Sequence, residues 1–344
     1  MTWVFVGMSG GVDSSVAAAL LVEQGYDVTG VYMKNWSEDL PGMHCPWADD
    51  VADAKRVAVG LGIDFRVFDF QKEYKQKVVD YMIREYQAGR TPNPDVMCNQ
   101  EVKFKVFLEA CLKEGADYIA TGHYARTDGG HLLRARDDNK DQTYFLYRVT
   151  SEALAKTIFP LGDFTKAEVR EMAKDRGLWT ASKKESMGIC FVGQVGIREF
   201  LSEYVETSPG NIIDKQTGLA VGRHDGAIFY TIGQRHGLNV GGGLPYYVVG
   251  KDMAKNEVYV SRSIDDDQLW RRTVQLTDIH WINQPLADGD NIQVRLRHRG
   301  ALIDAVYNEA GLLNLKSAER AVAPGQSAVL YDGETCLGGG IIAA

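Results

Sequence analysis

At 344 residues the chain is long for a single core and is expected to divide into about two or three domains. Its composition, 45% hydrophobic and 24% charged, is that of a globular protein and not of a disordered or low-complexity one. A net charge of −8 excludes a uniformly basic coat but leaves room for a local basic stripe that would meet nucleic acid. No apolar run approaches the roughly 20 residues that span a bilayer, so no membrane partner is expected. The chain enters a strand-like run at once, without a basic stretch and apolar core ahead of it, so a cytoplasmic location is expected. Its cysteines, Cys45, Cys98, Cys111, Cys190 and Cys336, are odd in number and contain no C-x-x-C pair. They fit neither a disulfide framework nor a metal site, and no metal ligands are assigned.

In chain order, short apolar runs at 3–7, 28–33, 65–70 and 118–121 read as strands. They alternate with helical patterns at 14–24, 47–61, 74–88 and 100–114. Such alternation predicts an α/β fold with a parallel sheet covered on both faces. Two further helices are predicted at 151–158 and 165–176, the second opened by Thr165 with Glu168 three residues on. After about residue 200, glycine becomes frequent and short alternating runs replace helices, at 227–232, 246–249, 258–261, 292–296, 302–306 and 327–331. The expected organisation is an α/β domain over 1–200, a small mostly-β domain over 201–272 and a β-barrel-like domain over 273–344.

The most informative stretch is Gly7-Met8-Ser9-Gly10-Gly11-Val12-Asp13-Ser14-Ser15, between the first strand and the first helix. Adjacent glycines let backbone N–H groups turn inward, and the helix start adds unpaired donors and partial positive charge. Ser9, Ser14 and Ser15 can add hydroxyl donors to the same anion. A P-loop would require Gly-Lys-Ser/Thr, and no lysine stands here. Ser-Gly-Gly-x-Asp-Ser resembles instead the pyrophosphate loop of ATP pyrophosphatases. Ligands of parallel sheets bind beyond the strands' carboxyl ends, which places Gly7, Met33 and Thr121-Gly122 around one crevice. Met33 could pack a base there and Gly122 could admit close backbone approach; sheet packing and a turn are the competing readings.

Further along, Thr91-Pro92-Asn93-Pro94-Asp95 is held extended by its prolines and leads to Cys98 just before a helix predicted to start near Asn99. That position favours a thiolate, and Asp95 could exchange a proton nearby. Cys190 lies in a short apolar segment and reads locally as core, as does Cys111 on its helix, and Cys336 reads as structural. His123 is the one histidine placed to meet a ligand, with a hydrogen-bonded structural role as the alternative. Val294-Arg295-Leu296-Arg297-His298-Arg299 alternates, so Arg295, Arg297 and Arg299 are expected on one face as a basic edge for phosphates, or as a solvated barrel face.

The segments GMSGGVDSSVAA, TPNPDVMCNQEVKF, ATGHYAR, KDQTYFLYRV, ESMGICFVG, YTIGQRHGLNVGG and APGQSAVLYDGETCLGGG, in that order, resemble the bacterial tRNA-specific 2-thiouridylases over nearly the whole chain. The resemblance implies ATP-dependent adenylation of the C2 oxygen of the wobble uridine, then replacement of that oxygen by sulfur. It implies Cys190 as the persulfide carrier and Cys98 as the nucleophile, the two ending in a disulfide, with Asp95 as an acid or base. Gly7, Met8, Ser9, Gly10, Gly11, Val12, Asp13 and Ser14 would hold ATP, with Met33 and Gly122 near the adenosine. Asn93, Pro94 and Asp95 would hold the target base. His123, Lys140, Asp141, Gln142, Arg295, Leu296 and Gln326 would contact tRNA in its anticodon region. Mg²⁺ is expected with ATP, a sulfur-carrier or desulfurase-derived protein as persulfide donor, and a monomeric state. Leu296 stands where many relatives have Tyr, and Glu185 replaces an Asp. An amide-forming ATP pyrophosphatase would need neither cysteine, and a non-catalytic RNA-binding protein would release no pyrophosphate.

Overall fold

Strands that are apolar on both faces need cover on both, and the computed structural model supplies it with helices on either side of a parallel sheet. It describes residues 1–39, 47–184, 196–238, 240–241, 245–263, 265–267 and 269–343. The sheet runs Asp64–Asp69, Asp27–Lys34, Trp3–Gly7, Tyr118–Thr121, Thr157–Ile158, with every neighbouring pair parallel. The order reverses direction at Trp3–Gly7, so the switch point lies between that strand and Tyr118–Thr121. The first helix, Val12–Glu23, is Ala- and Val-rich and buried along most of its length. It packs between the sheet and helix Lys166–Asp175, whose start carries the anticipated capping box: Thr165 and Glu168 satisfy each other's backbone N–H.

Two expectations fail here. The helix predicted over 151–158 stops at Ala155, and Thr157–Ile158 adds the fifth strand. The helix predicted over 100–114 begins at Pro94 and runs to Lys113, through a wide i→i+5 winding from Cys98 to Phe107. Pro94 occupies the first helical position, where its missing N–H costs nothing and its fixed φ suits the helix. Cys98 therefore sits a full turn inside, its N–H already bonded to the Pro94 carbonyl, and not at a helix N-terminus.

Beyond residue 200 the architecture becomes β, as expected. Strands Tyr247–Asp252, Glu257–Ser261, Gly210–Asp214 and Ala220–His224 form a small four-stranded sheet. The predicted strand at 227–232 is instead a single short turn, Ala227–Phe229. Six antiparallel strands then close a barrel: Trp270–Trp281, Leu312–Arg320, Ile303–Asn308, Asn291–Arg295, Ser327–Asp332 and Thr335–Ile342, the last returning to the first. A hairpin of the N-terminal half, Arg126–Asp128 with His131–Leu133, extends this sheet by pairing with Thr335 and Cys336. Its turn, Gly129-Gly130, takes positive φ at both residues, the two-residue geometry that matches strand twist.

Candidate functional site

A cavity of about 290 Å³ opens at the switch point, where a ligand of such a sheet is expected. Gly7, Met8, Ser9, Asp13 and Ser14 line it from the first loop, Met33 from the second strand, and Gly122, His123 and Gln142 from the region after Tyr118–Thr121. Helix Val12–Glu23 begins here without a side-chain cap, leaving its first-turn N–H groups available to an anion. The Ser9 N–H donates to Ser14 Oγ at 3.2 Å, and the two hydroxyls lie 3.3 Å apart. Ser15 is turned away: its hydroxyl donates to the Gly11 carbonyl at 2.7 Å and accepts from Thr180 at 3.0 Å, so it is not a third donor to the anion. Gly10, Gly11 and Val12 shape the turn without facing the cavity; Gly10 has φ +72° and its α-carbon lies against the Asp50 backbone.

Charges around this loop come from distant segments. Asp13 accepts from Tyr124 Oη at 2.9 Å and from Lys166 Nζ at 2.6 Å, which fixes its carboxylate beside the helix start. Among the described residues Lys103 is the one lysine or arginine that lines the cavity, while Asp13 and Asp50 bring carboxylates. His123 packs between Phe104 and Phe159, at ring-centroid distances of 5.7 and 6.2 Å, with Nδ1 2.8 Å from Thr121 Oγ1. Burial, reinforced by the Lys103 charge, holds its pKa well below the usual value, so the imidazole is neutral.

Asn93, Pro94, Asp95 and Cys98 do not line the cavity; they form the neighbouring loop and helix start. Cys98 is 1% exposed and packed in the main core. Asp95 is half-buried, and desolvation raises its pKa against the opposing pull of Lys103. Lys103 thus acts electrostatically on both Asp95 and His123, tying the two regions together. Cys190 lies outside the described residues, as do Cys45 and Glu185.

Of the residues expected to contact tRNA, Asp141, Arg295 and Leu296 are buried, and His123, Lys140, Gln142 and Gln326 are half-buried. Asp141 and Arg295 make an ion pair at 2.8 Å with side-chain exposures of 0% and 6%. Thr143 also donates its hydroxyl to Asp141, and Tyr331 Oη is 3.1 Å from that hydroxyl. Tyr144 donates to the Ser327 carbonyl at 3.0 Å. The segment 141–147 is therefore the seat of the barrel. Arg295 does not share an exposed face with Arg297 and Arg299, because its strand ends at Arg295 and Arg299 takes φ +59°. Leu296 belongs to the barrel core, Gln142 accepts from the Tyr124 N–H at 2.9 Å, and Gln326 donates to the Thr91 carbonyl at 2.8 Å. Lys140 is half-buried at the rim of the same region.

Three family models match successive parts of the chain: a tRNA methyl transferase HUP domain over residues 2–194, a tRNA methyl transferase PRC-barrel domain over 198–262, and an aminomethyltransferase beta-barrel domain over 271–342. Whole-chain relatives carry a different name. The tRNA-specific 2-thiouridylase MnmA of Bacillus subtilis (strain 168) is 48% identical, with 99% of this chain and 95% of the relative covered. The chain belongs to the tRNA-specific 2-thiouridylase family. The member from Chromobacterium violaceum is 47% identical across 98% of this chain and 91% of the relative. Among solved structures, a 4-thiouridine synthetase–RNA complex with bound ATP is 20% identical at a TM-score of 0.36, covering 59% of this chain and 50% of that one, a likeness too slight to bear on the site.

In this thiouridylase family member, sequence reading missed Lys103 and Lys166 as site cations. Lys103 stands inside a segment already singled out, but nothing local distinguishes it from Lys105. Lys166 is brought to Asp13 only by the packing of its helix on the first one. Gly122, expected near the adenosine, lines the cavity, and a Cβ there would stand 2.7 Å from Ser14 N and 2.8 Å from Asp13 C. Both atoms are backbone and cannot swing aside. Gly122→Ala is expected to destabilise the fold by about 1–3 kcal/mol and to weaken ATP binding markedly. Thermal melting and calorimetric titration with ATP check this; unchanged affinity would show that the close approach does not shape the anion site.

Proposed function

We propose that this chain is an ATP-dependent tRNA-uridine 2-sulfurtransferase acting on the wobble uridine. The observation that carries the reading is the lysine-free Ser-Gly-Gly-x-Asp-Ser turn at an uncapped helix start, beside a loop that leads to Cys98. Ser9, Ser14 and the first-turn N–H groups would hold the pyrophosphate end of ATP, with Met33 and Gly122 beside the adenosine. Asn93, Pro94 and Asp95 would receive the splayed-out uracil. The uracil C2 oxygen attacks the α-phosphorus, pyrophosphate departs, and the oxygen becomes part of a good leaving group, AMP. His123, being neutral, can accept or donate a hydrogen bond at this step without adding charge.

Cys190 would carry the persulfide delivered by a donor protein. In one route Cys98 thiolate attacks the Cys190 sulfur and expels hydrosulfide, which adds to C2 as AMP leaves. In the other, the terminal persulfide sulfur adds to C2 first, AMP leaves, and Cys98 then breaks the sulfur–sulfur bond. Both end with a Cys98–Cys190 disulfide that a dithiol must reduce before the next turnover. Mg²⁺ is expected on the triphosphate. Asp13 and Asp50 are already paired with Lys166 and Lys183, and no group of three or more His, Cys, Asp or Glu is placed for a metal among the described residues. Among the described residues the side chains do not fit a protein-held ion, and no step is assigned to one. His123, Lys140, Asp141, Gln142, Arg295, Leu296 and Gln326 would act at the tRNA face, several through the packing described above and not through exposed contact. The domain limits 1–200, 201–272 and 273–344 and a monomeric state belong to the same proposal.

Lys103 is the cation placed to offset charge that develops as pyrophosphate departs. Lys103→Met is expected to slow tRNA-dependent pyrophosphate release about 100-fold. Since Lys103 pulls the Asp95 pKa down, its loss should also move the acid limb of the pH–rate profile upward. Rates within about threefold of the unaltered protein, with an unmoved acid limb, would remove Lys103 from the reaction.

A further inference from the structure

The three matched regions of the chain meet at one residue outside the cavity, Thr91. Its N–H donates to the Pro324 carbonyl at 2.9 Å, and its carbonyl accepts from Gln326 Nε2 at 2.8 Å, both from the barrel. Its hydroxyl shares a 3.0 Å hydrogen bond with the Thr231 hydroxyl of the central domain. Neighbouring contacts tighten the junction. Gly325, at φ +89°, presses on Arg90 and Thr91, where a Cβ would stand 2.8 Å from Thr91 N. Gly89, at φ +77°, leaves 2.7 Å between the place of a Cβ and Met253 Cγ. Arg90 itself is forked onto Glu85 of the preceding helix by two 2.6 Å bonds.

Only Pro92 and Asn93 separate Thr91 from the helix start at Pro94. Proline fixes one φ angle of that link and offers no N–H to anchor it. Where Thr91 is held thus constrains where Asn93 and the helix start at Pro94 stand. We propose that Thr91 is a positioning residue: through it both β domains hold the loop that receives the target base. The inference rests on the sulfurtransferase reading given above. It makes presentation of the base depend on the central and barrel domains being docked, whereas the ATP cavity, which Thr91 does not line, is independent of it.

The test uses the full chain with Thr91→Val, Thr231→Val and both changes together, each compared with Thr91→Ser. Melting temperature, ATP affinity and the maximal rate of 2-thiouridine formation are measured. Each single valine variant is expected to lower the maximal rate about fivefold, the worth of one hydrogen bond, with ATP affinity unchanged. Thr91→Ser keeps the hydroxyl and should restore the rate. In the double variant neither hydroxyl is left alone, so the melting temperature should recover while the rate stays low. Rates within twofold of the unaltered protein in both single variants would overturn the proposal. So would a double variant whose rate recovers with its stability, since that marks a structural contact only. An unaltered protein that forms no 2-thiouridine, in the same assay, removes the underlying reading and this inference with it.

Discussion

Cys98→Ser is expected to abolish 2-thiouridine formation while tRNA-dependent pyrophosphate release continues. The separation follows from geometry and chemistry together. The cavity that would bind ATP is built from Gly7, Ser9, Asp13, Ser14, Met33 and Gly122, and Cys98 is not among its walls. Serine is close to cysteine in size, so the core around Val102 and Phe107 should keep its shape at a cost of about 1–3 kcal/mol for the buried hydroxyl, which the melting curve reports. What is lost is the sulfur nucleophile, because a serine hydroxyl is not ionised at neutral pH and forms no disulfide. Adenylation should therefore run until the activated tRNA accumulates or hydrolyses. The checks are thin-layer detection of pyrophosphate and mass analysis of the nucleosides. Thiolation at an undiminished rate would contradict the role of Cys98. Loss of both steps, with an intact melting curve, would place Cys98 in adenylation instead.

Asp141→Asn is expected to cost about 3–5 kcal/mol of stability, more than a surface change of the same size. The carboxylate holds Arg295 across the junction of the barrel with the N-terminal domain, and both side chains are almost wholly buried. Arg134 lies 3.8 Å away and would be left with less compensation as well. Removing one charge strands a guanidinium in a site that excludes water. Adding Arg295→Gln to Asp141→Asn removes the stranded charge while the Asn oxygen can still accept from Ala135 and Thr143, so the double change should cost less than the single one. Urea denaturation of the two variants measures the difference. A loss below about 1 kcal/mol for Asp141→Asn would show that the pair is effectively solvated.

How far these assignments were readable from sequence depended on the kind of information each needed. Strands at Trp3–Gly7 and Tyr118–Thr121 were legible because an apolar run bounded by Gly or Thr has few other uses. The strand Thr157–Ile158 was not, since two residues carry no period. Pro94 misled because proline reads as a breaker, although at the first helical position it is compatible with a helix. Arg295 shows a different limit. Alternation tells which residues share a face, but not that the strand ends at Arg295 or that a buried carboxylate waits on the other domain. The strand–turn–helix of residues 3–23 was legible because its turn chemistry is local, but not that Ser15 would face away from the cavity; Lys103, Lys166 and Thr91 gain their places only through tertiary packing.

The measurement that tests the central claim most directly is nucleoside mass analysis of unmodified tRNA after incubation with this protein, ATP and a persulfide donor. 2-Thiouridine is expected at the wobble position, dependent on ATP, matched by AMP and pyrophosphate, and absent with Cys190→Ser. Pyrophosphate release without any thiolated nucleoside, or full thiolation by the Cys190→Ser variant, would contradict it.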